Sequence, residues 1–464
     1  MAEPATLQFL GGVGTVTGSK YLLTHGARRV LLDCGLFQGL KELRVRNWQA
    51  PPFDPAGLDA VVLSHAHLDH SGYLPVLVRR GFRGPIFCTL GTADLLPVML
   101  LDAAHLQEEE AQRANRYAYS KHRPALPLYT AADAQAALHY IAPRSYGERF
   151  SVVPGLTAML RRAGHILGSA TVDLEIGAHP SRVVFSGDLG RWDRPILRDP
   201  EPVPAADIVL IESTYGDRLH EPNPVGALAS VVRDAAARGG ALIVPAFAVG
   251  RTQELIWTLR QLEDAGAIPS LPVFIDSPMA INVSDIYCRH PEDHDLDMQM
   301  LMDERRCPIC CRQYTLVRTA AESKALNDRD GSIIIIAGSG MATGGRVLHH
   351  LSRRLPDART TVLLPGFQAA GTRGRALQEG VQTLRIFGES VAVRATIVTL
   401  DGFSAHADRD EILRWAAAFK KAPTQAYVVH GEPSASEALA QSLRNRLGWN
   451  AMVARFGATA KIGE

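Results

Sequence analysis

Histidine and aspartate residues crowd one short stretch of the chain, residues 64–70, which reads Ser-His-Ala-His-Leu-Asp-His. Several imidazoles and a carboxylate packed together would be poor core material and would repel one another once protonated. Zinc, in contrast, prefers imidazole and carboxylate ligands. The spacing of His65, His67, Asp69 and His70 therefore predicts a metal site.

Apolar runs place this stretch and other candidate residues at strand ends. The run 58–63 predicts a buried strand directly before the histidines. Ligand sites collect at the carboxyl ends of strands. Further acids and histidines that end or follow predicted strands are Asp33, His165, Asp188, Glu212 and His430. Taken singly, Asp33 could be a plain turn residue and His165 an ordinary histidine.

Length and composition limit the classes of protein to consider. The 464 residues predict two or three domains, and the 46% hydrophobic and 21% charged shares are typical of a soluble globular protein. The net charge is +1, so nucleic-acid binding would need local patches. Apolar runs are too short for a membrane span, and residues 1–4 begin no signal peptide. We therefore expect a cytoplasmic protein without membrane contact.

From about residue 217 the pattern changes to strands that alternate with helices. Near-continuous apolar strands in such a pattern predict a parallel sheet covered on both faces, and so a Rossmann-like domain. The predicted strands are 241–245, 273–276, 333–337 and 361–365, and the helices after them begin at Arg251, Pro278, Gly345 and Thr372.

The loop that begins Gly338-Ser339-Gly340 follows a strand and opens a helix, where backbone N–H groups can bind anions. Thr343 replaces the last glycine of a dinucleotide motif, and no Walker lysine is present. A glycine-rich turn needed only for packing is the alternative. The loop favours phosphate over a dinucleotide cofactor.

Four arginines lie at or within about one turn of predicted helix starts, where the helix dipole disfavours cations. A bound polyanion would relieve that conflict, and guanidinium groups suit bidentate phosphate contacts. Surface solubility is the simpler alternative. The arginines are Arg251, Arg346, Arg373 and Arg375.

Together these motifs resemble the β-CASP group of the metallo-β-lactamase superfamily. Residues 64–70 resemble the superfamily signature, whereas Glu212, His406 and His430 resemble the three motifs of the β-CASP group. The resemblance implies an α/β fold, an αββα sandwich with an inserted Rossmann-like β-CASP domain. The expected segments are 1–216 and 391–464 for the sandwich and 217–390 for the insertion.

The resemblance also implies a site with two Zn²⁺ ions, although Mn²⁺ or Fe²⁺ could occupy the same nitrogen and oxygen ligands. The first ion would be bound by His65, His67 and His165, the second by Asp69, His70 and His430. Asp188 is expected to bridge them, because a carboxylate has two oxygens. Asp33 is expected to support the metal loop from behind.

The implied activity is hydrolysis of single-stranded RNA by a metal-bridged hydroxide, with cleavage at internal bonds that leaves 5′-phosphate and 3′-hydroxyl ends. Asp69, His406 and Glu212 are the implied catalytic residues, with His406 protonating the leaving oxygen. A histidine at position 430 is typical of RNA-directed members. The chain resembles bacterial and archaeal homologues of the pre-mRNA 3′-end cleavage endonuclease, without the archaeal KH domains or the C-terminal extension of ribonuclease J. A homodimer is compatible with this resemblance.

Three other functions are open at this point. A small-molecule hydrolase of the glyoxalase or lactamase type would share the metal ligands but would not need the large inserted domain. A non-catalytic RNA-processing scaffold would usually have lost metal ligands. A DNA nuclease is disfavoured only by His430 and by the resemblance to the family.

Three cysteines, Cys307, Cys310 and Cys311, resemble half of a zinc ribbon. No second Cys-x-x-Cys pair completes a tetrahedral site. We expect reduced and partly buried thiols, with a local metal or redox role as the alternative.

Overall fold

The structure is a computed structural model that describes residues 5–118, 120–177, 181–304 and 309–463. The described residues form two compact units, one from Met1–Leu219 and His406–Glu464 and the other from His220–Ala405. The second division lies after Ala405 rather than after residue 390. The physical reason is that the strand Thr396–Thr399, expected in the sandwich, pairs with a strand of the inserted unit.

Strands and helices are numbered here in chain order over the described residues. The strands are β1 Ala5–Gly11, β2 Lys20–His25, β3 Arg28–Leu32, β4 Ala60–Val62, β5 Ile86–Thr89, β6 Ile141–Arg144, β7 Arg149–Val153, β8 Leu156–Arg162, β9 Ala170–Ile176, β10 Ser181–Phe185, β11 Ile208–Glu212, β12 Leu242–Pro245, β13 Val273–Asp276, β14 Tyr314–Leu316, β15 Ile334–Ala337, β16 Thr361–Leu364, β17 Thr383–Ile386, β18 Glu389–Ala392, β19 Thr396–Thr399, β20 Gln425–Val429, β21 Ala451–Val453 and β22 Thr459–Ile462. The α-helices are α1 Lys41–Arg46, α2 Leu68–Ser71, α3 Leu74–Arg79, α4 Leu90–Arg116, α5 Ala131–Leu138, α6 Pro224–Arg238, α7 Arg251–Asp264, α8 Pro278–Tyr287, α9 Leu296–Asp303, α10 Ala320–Asn327, α11 Val347–Arg354, α12 Arg373–Gln378, α13 Arg409–Ala417 and α14 Pro433–Leu447. Within these ranges, none of the helices has both the length and the apolar character that crossing a bilayer requires.

The first unit is a sandwich of two sheets with helices outside. One sheet has the order β22-β1-β2-β3-β4-β5-β6 and the other the order β21-β20-β11-β10-β9-β8-β7. Side chains from both sheets, such as Phe9, Tyr21, Leu160 and Phe185, form one buried core between them. Trp415 of α13 packs on the outer face of the second sheet, and α4 contacts β5 and β6 of the first. The expected αββα architecture is confirmed.

The second unit contains a sheet with the order β14-β13-β15-β12-β16-β19, in which each neighbouring pair is parallel. Ile243, Phe274, Ile335 and Val362 point into a core shared with Leu351 of α11. The four predicted strand and helix units correspond to β12–α7, β13–α8, β15–α11 and β16–α12, so the predicted parallel sheet is confirmed. The edge strand β14 escaped prediction because it is short and partly exposed.

Candidate active site

The candidate residues of the first unit lie where its strands end. β3 and β4 are parallel neighbours, and β10, β11 and β20 are parallel neighbours in the other sheet. β8 runs in the same direction as β10 because both are antiparallel to β9. The residues at or after these ends are Asp33 after β3, the metal loop 63–71 after β4, His165 after β8, Asp188 after β10, Glu212 in β11 and His430 after β20. Strand direction therefore brings together side chains that are far apart in the sequence.

A first group of possible ligands consists of His65, His67, His165 and Asp188. The Nδ1 atom of His67 lies 3.1 Å from Nε2 of His65 and 3.2 Å from Nε2 of His165. The Oδ2 atom of Asp188 lies 3.6 Å and 3.7 Å from the same two Nε2 atoms. Two ligands of a tetrahedral zinc ion, each about 2.0–2.1 Å from the metal, stand about 3.3 Å apart. The four side chains therefore fit a metal ion.

A second group consists of Asp69, His70 and His430. The Nε2 atoms of His70 and His430 are 3.1 Å apart, and Oδ2 of Asp69 lies 3.8 Å and 3.6 Å from them. The Oδ1 atom of Asp188 lies 3.2 Å from Nε2 of His70 and 3.2 Å from Nδ1 of His430. One oxygen of Asp188 thus faces each group, which is the arrangement that a bridging carboxylate needs.

Burial and neighbouring charges set the protonation of these groups. Burial lowers the pKa of His67 to about 4, and burial together with the charge of His70 holds the pKa of His65 well below its usual range. Both rings are neutral at pH 7, which is the form that binds metals. Burial would raise the pKa of Asp188, but His430 and His70 hold it well below its usual range. The first group thus offers two neutral imidazoles, those of His65 and His67, and an ionised carboxylate.

Asp33 is fully buried behind the metal loop and is bonded to it at several points. Its Oδ2 atom lies 2.6 Å from Nδ1 of His70 and accepts hydrogen bonds from the hydroxyls of Ser64 at 2.9 Å and Ser19 at 3.1 Å. Its Oδ1 atom accepts the backbone N–H of Ser64 at 2.7 Å. These bonds orient the His70 ring so that its Nε2 atom is directed towards the other members of the second group, Asp69 and His430.

His430 has a left-handed backbone, with φ of 48°, and Asp33 has φ of 57°. Such a conformation is uncommon outside glycine and persists where contacts hold it. The N–H of His430 donates to the carbonyl of Gly12 at 2.6 Å, while its own carbonyl accepts from Ser213 N–H at 3.1 Å and from the Thr214 hydroxyl at 3.3 Å. Contacts with two separate segments, at Gly12 and at Ser213–Thr214, therefore hold the backbone that carries the His430 ring.

The supporting residues Ser19, Ser64, Gly12 and Thr214 are not evident as such from the sequence alone. Ser64 begins the histidine motif, and Gly12 belongs to a Gly-Gly pair, so both offered a weak signal. A side chain at Gly12 would place its Cβ 2.6 Å from the Tyr21 hydroxyl, which explains the need for glycine there. Ser19 and Thr214 offered none, because their role depends on contacts between distant segments.

Glu212 is fully buried and links three groups. Its Oε1 atom accepts the N–H of Leu189 at 2.8 Å and lies 3.2 Å from Nδ1 of His406, and its Oε2 atom accepts the N–H of Thr214 at 3.0 Å. Burial lowers the pKa of His406, but the charges of Glu212 and Asp188 outweigh it and raise that pKa above its usual value. The His406 side chain is 18% exposed. It is thus a readily protonated group with access to solvent.

The turn that carries His406 is held on both sides. The N–H of Ala407 donates to the carbonyl of Leu189 at 2.8 Å, next to Asp188 in the chain. Asp408 and Glu411 form a capping box at the start of α13, with Asp408 Oδ1 accepting from Glu411 N–H at 2.9 Å. This cap fixes where α13 begins, and so it fixes the position of His406 relative to Asp188.

In the second unit, the four arginines expected to bind phosphate donate to groups of that unit. Nη1 of Arg251 donates to the Pro365 carbonyl at 2.6 Å, and Nη1 of Arg346 donates to Asp276 Oδ1 at 2.7 Å. The remaining bonds are from Nε of Arg373 to the Arg385 carbonyl at 2.8 Å and from Nε of Arg375 to the Gln368 carbonyl at 2.8 Å. These bonds account for cations near helix starts without a polyanion, so phosphate binding stays a prediction.

The Gly338-Ser339-Gly340 loop also makes bonds within itself and to α11. The Ser339 hydroxyl accepts the N–H of Thr343 at 3.0 Å, and the Gly338 carbonyl accepts the N–H of Val347 at 3.1 Å. Phosphate binding by this loop therefore stays a prediction as well.

The cysteine motif is only partly described. Cys307 lies outside the described residues. Cys311 is buried, and its Sγ donates to the Ile256 carbonyl at 3.7 Å. The reduced state expected of Cys307, Cys310 and Cys311 stays a prediction.

Three family descriptions match successive parts of the chain. A beta-lactamase superfamily domain matches residues 28–238, and a Beta-Casp domain matches residues 252–377. A Zn-dependent metallo-hydrolase RNA specificity domain matches residues 390–454. The sandwich and the inserted domain thus each have a family match.

Curated relatives match nearly the whole chain. The chain is 38% identical over 449 residues to "Ribonuclease TTHA0252" from Thermus thermophilus, which covers 96% of this chain and 97% of that protein. It is 31% identical over 450 residues to "Transcription termination factor FttA" from Methanocaldococcus jannaschii, covering 94% of this chain and 68% of that protein. The FttA of Pyrococcus abyssi is 31% identical over 461 residues, with 95% and 68% covered.

A solved structure has the same overall fold. It is the crystal structure of a protein of unknown function from Enterococcus faecalis V583, with a TM-score of 0.55, 13% identity, and coverage of 99% of this chain and 100% of that one. At this identity the likeness concerns the fold alone.

Proposed function

The chain belongs to the β-CASP group of the metallo-β-lactamase superfamily, and on that premise we propose that it is a zinc-dependent ribonuclease. It hydrolyses phosphodiester bonds within single-stranded RNA and leaves 5′-phosphate and 3′-hydroxyl ends. The relative named as a ribonuclease and the match to an RNA specificity domain support RNA as the substrate.

The observation that carries this proposal is the pairing of a metal-ligand cluster with the buried Glu212 and the partly exposed His406 at the same strand ends. A small-molecule hydrolase needs the cluster but has no use for a domain related to RNA specificity. A non-catalytic scaffold needs neither the metal-ligand cluster nor the Glu212–His406 couple. The relatives that support RNA as the substrate also favour an RNA nuclease over a DNA nuclease.

The proposed ligand roles follow the two groups. His65, His67 and His165 would hold one zinc ion, and Asp69, His70 and His430 would hold a second, with an oxygen of Asp188 available to each group. When bound, such a metal pair supplies Lewis acidity and lowers the pKa of a coordinated water toward 7. Mn²⁺ or Fe²⁺ would suit the same ligands.

The chain's own residues handle the leaving group. His406 carries a raised pKa and is partly open to solvent, so its ring donates a proton to the ribose 3′ oxygen as the P–O bond breaks. Glu212 accepts from Nδ1 of His406 and so fixes the tautomer that keeps Nε2 available. Asp69 is 23% exposed at its side chain and lies at the open side of the cluster.

Two finer proposals accompany this function. The protein works in the cytoplasm, and two copies form a homodimer. Light scattering on the purified protein measures the second, and a monomer at micromolar concentration would contradict it.

The test uses single-stranded RNA with different labels at its two ends, matched DNA, and zinc-loaded protein whose metal content is measured by mass spectrometry. We expect two zinc ions per chain and internal fragments from RNA only, and their loss in His67→Ala. Mononucleotides released from the 5′ end would instead indicate an exonuclease. Intact RNA with full metal occupancy would refute the proposal.

A further inference from the structure

An exposed basic and aromatic surface lies on the first unit, around α1 and on the turn between β21 and β22. Trp48 is 54% exposed and Phe456 is 50% exposed. We call this surface the stacking patch. Its members at the surface are Lys41, Arg44, Arg46, Trp48, Arg455 and Phe456, and the buried Phe37 lies against Arg46.

The two parts of the patch meet at Arg46. The guanidinium carbon of Arg46 lies 4.6 Å from the ring centre of Phe456 and 5.5 Å from that of Phe37. Cation–π contact with two rings holds the guanidinium group, whose N–H groups remain able to donate. Asn47 is buried, and its side chain accepts from Phe37 N–H at 2.9 Å and donates to the Phe37 carbonyl at 2.8 Å. These contacts hold the part of the patch around Arg46 in place.

The segment that leads into the patch is bonded to the metal loop. The N–H of Cys34 donates to the carbonyl of His70 at 2.7 Å, and the N–H of Leu36 donates to the carbonyl of Leu68 at 2.8 Å. Phe37 is the next residue. The first part of the patch thus begins where the ligands of the second group lie.

The second part of the patch is bonded to the strand that leads to His430. The N–H of Ala454 donates to the Val428 carbonyl at 3.0 Å, two residues before His430. The N–H of Gly457 donates to the carbonyl of Phe9 at 2.7 Å. Both parts of the patch therefore border the edge of the sandwich that carries the metal-ligand cluster.

The charges of the patch are of one sign. Lys41, Arg44, Arg46 and Arg455 are in no ion pair among the described residues. Glu42 is the one acid in the segment from Phe37 to Gln49. Uncompensated cations beside exposed aromatic rings fit a polyanion that also carries flat rings, and single-stranded nucleic acid has both.

We propose that the stacking patch binds a single-stranded segment of the RNA next to the bond that is cut, with bases stacked on Trp48 and Phe456 and phosphates on the neighbouring cations. This inference rests on the proposed function for the identity of the nucleic acid. Because every group involved belongs to the first unit, it adds a binding surface distinct from the loops of the inserted unit.

The test is fluorescence anisotropy of zinc-loaded protein with a labelled phosphorothioate RNA of about 20 nucleotides, which is long enough to reach beyond the cut site. Stacking on an aromatic side chain changes affinity by roughly 5- to 150-fold per base. We expect the double variant Trp48→Ala, Phe456→Ala to raise Kd about ten-fold or more. Tyr117→Ala is the matched control, because Tyr117 is 65% exposed beside Arg116 but lies outside the patch. Its Kd should stay that of the unmodified protein.

The cations are tested by salt. Arg44→Ala should reduce the slope of log Kd against log salt concentration by about 0.7, the value for one phosphate of a single strand. Trp48→Ala should weaken binding without changing the slope. A Kd within about two-fold of the unmodified value in the double variant, with the fold and zinc content intact, would overturn the proposal.

Hydrolysis of bis(p-nitrophenyl) phosphate separates this proposal from the proposed function. The patch variants should hydrolyse this small diester at the unmodified rate, since it is too short to reach the patch. A loss of small-diester hydrolysis would show damage to the metal site and would overturn the assignment. If the protein binds RNA through the patch but cuts no RNA, the patch proposal stands and the ribonuclease proposal is refuted.

Discussion

Replacing Glu212 by glutamine perturbs three contacts at once, because both carboxylate oxygens are in use. Oε1 accepts from Leu189 N–H and from His406, whereas Oε2 accepts from Thr214 N–H. A glutamine amide has one acceptor oxygen, so its NH₂ group must face one of the two backbone donors. A buried N–H without an acceptor costs about 1–3 kcal/mol. We expect Glu212→Gln to lower the free energy of unfolding by about that amount.

The same change alters the pH dependence of the reaction. The negative charge of Glu212 raises the pKa of His406, so the protonated ring persists to higher pH. Removing that charge lowers the pKa, and the proton donor is then lost at lower pH. The alkaline limb of kcat/KM should move to lower pH. At a fixed pH above the limb the rate should fall by up to about 10²–10⁴-fold, the usual contribution of general acid–base help.

The assay is a pH profile of RNA cleavage, with thermal or urea unfolding measured on the same samples. Glu263→Gln provides the matched control: Glu263 belongs to the inserted unit and is also buried, and its Oε2 atom accepts the N–H of Arg312 at 2.9 Å. This variant should lose stability while its pH profile stays unchanged. An alkaline limb that does not move in Glu212→Gln, with stability reduced as expected, would refute the proton-donor role of His406.

Three further substitutions test the ligand groups and their support. His406→Ala should retain the zinc of the unmodified protein and lose about 10²–10⁴-fold in turnover; loss of zinc, measured by mass spectrometry, would overturn its assignment as a non-ligand. His430→Ala should bind the second zinc more weakly, and an unchanged metal content after dialysis would contradict its place in the second group. Asp33→Asn should weaken zinc binding by about 10–100-fold in a chelator competition, because the amide cannot accept all the bonds that orient His70. Equal zinc affinity in that variant would argue against the support role.

Features that depend on short stretches could be predicted from the sequence. Residues 64–70 hold four ligand-type side chains within one loop, so no tertiary information is needed to infer a metal site. The strands β12, β13, β15 and β16 can likewise be recognised from short apolar runs in the sequence. Their alternation with helices predicted the parallel sheet. The resemblance to a family allowed residues such as His165 and His430, whose local sequence is not distinctive, to be predicted as metal ligands as well.

Other features depend on the partners that folding supplies. The placement of arginines near helix starts favoured a bound polyanion. In the structure, however, Arg251 donates to a carbonyl and Arg346 to a carboxylate, each more than 65 positions away in the chain. The strand β19 read as part of the sandwich, yet its register with β16 places it in the inserted unit.

The sequence by itself determined the ligand types, the strand order along the chain and the superfamily, because these depend on residue identity and local period. Tertiary structure alone decided that the two oxygens of Asp188 face different histidine groups, that Glu212 is shared by three donors, and that Arg46 lies between Phe37 and Phe456. The physical reason is that a hydrogen bond or a stacked pair requires atoms within a few ångströms of each other. Residues distant in sequence reach that separation only through the direction and register of the strands between them.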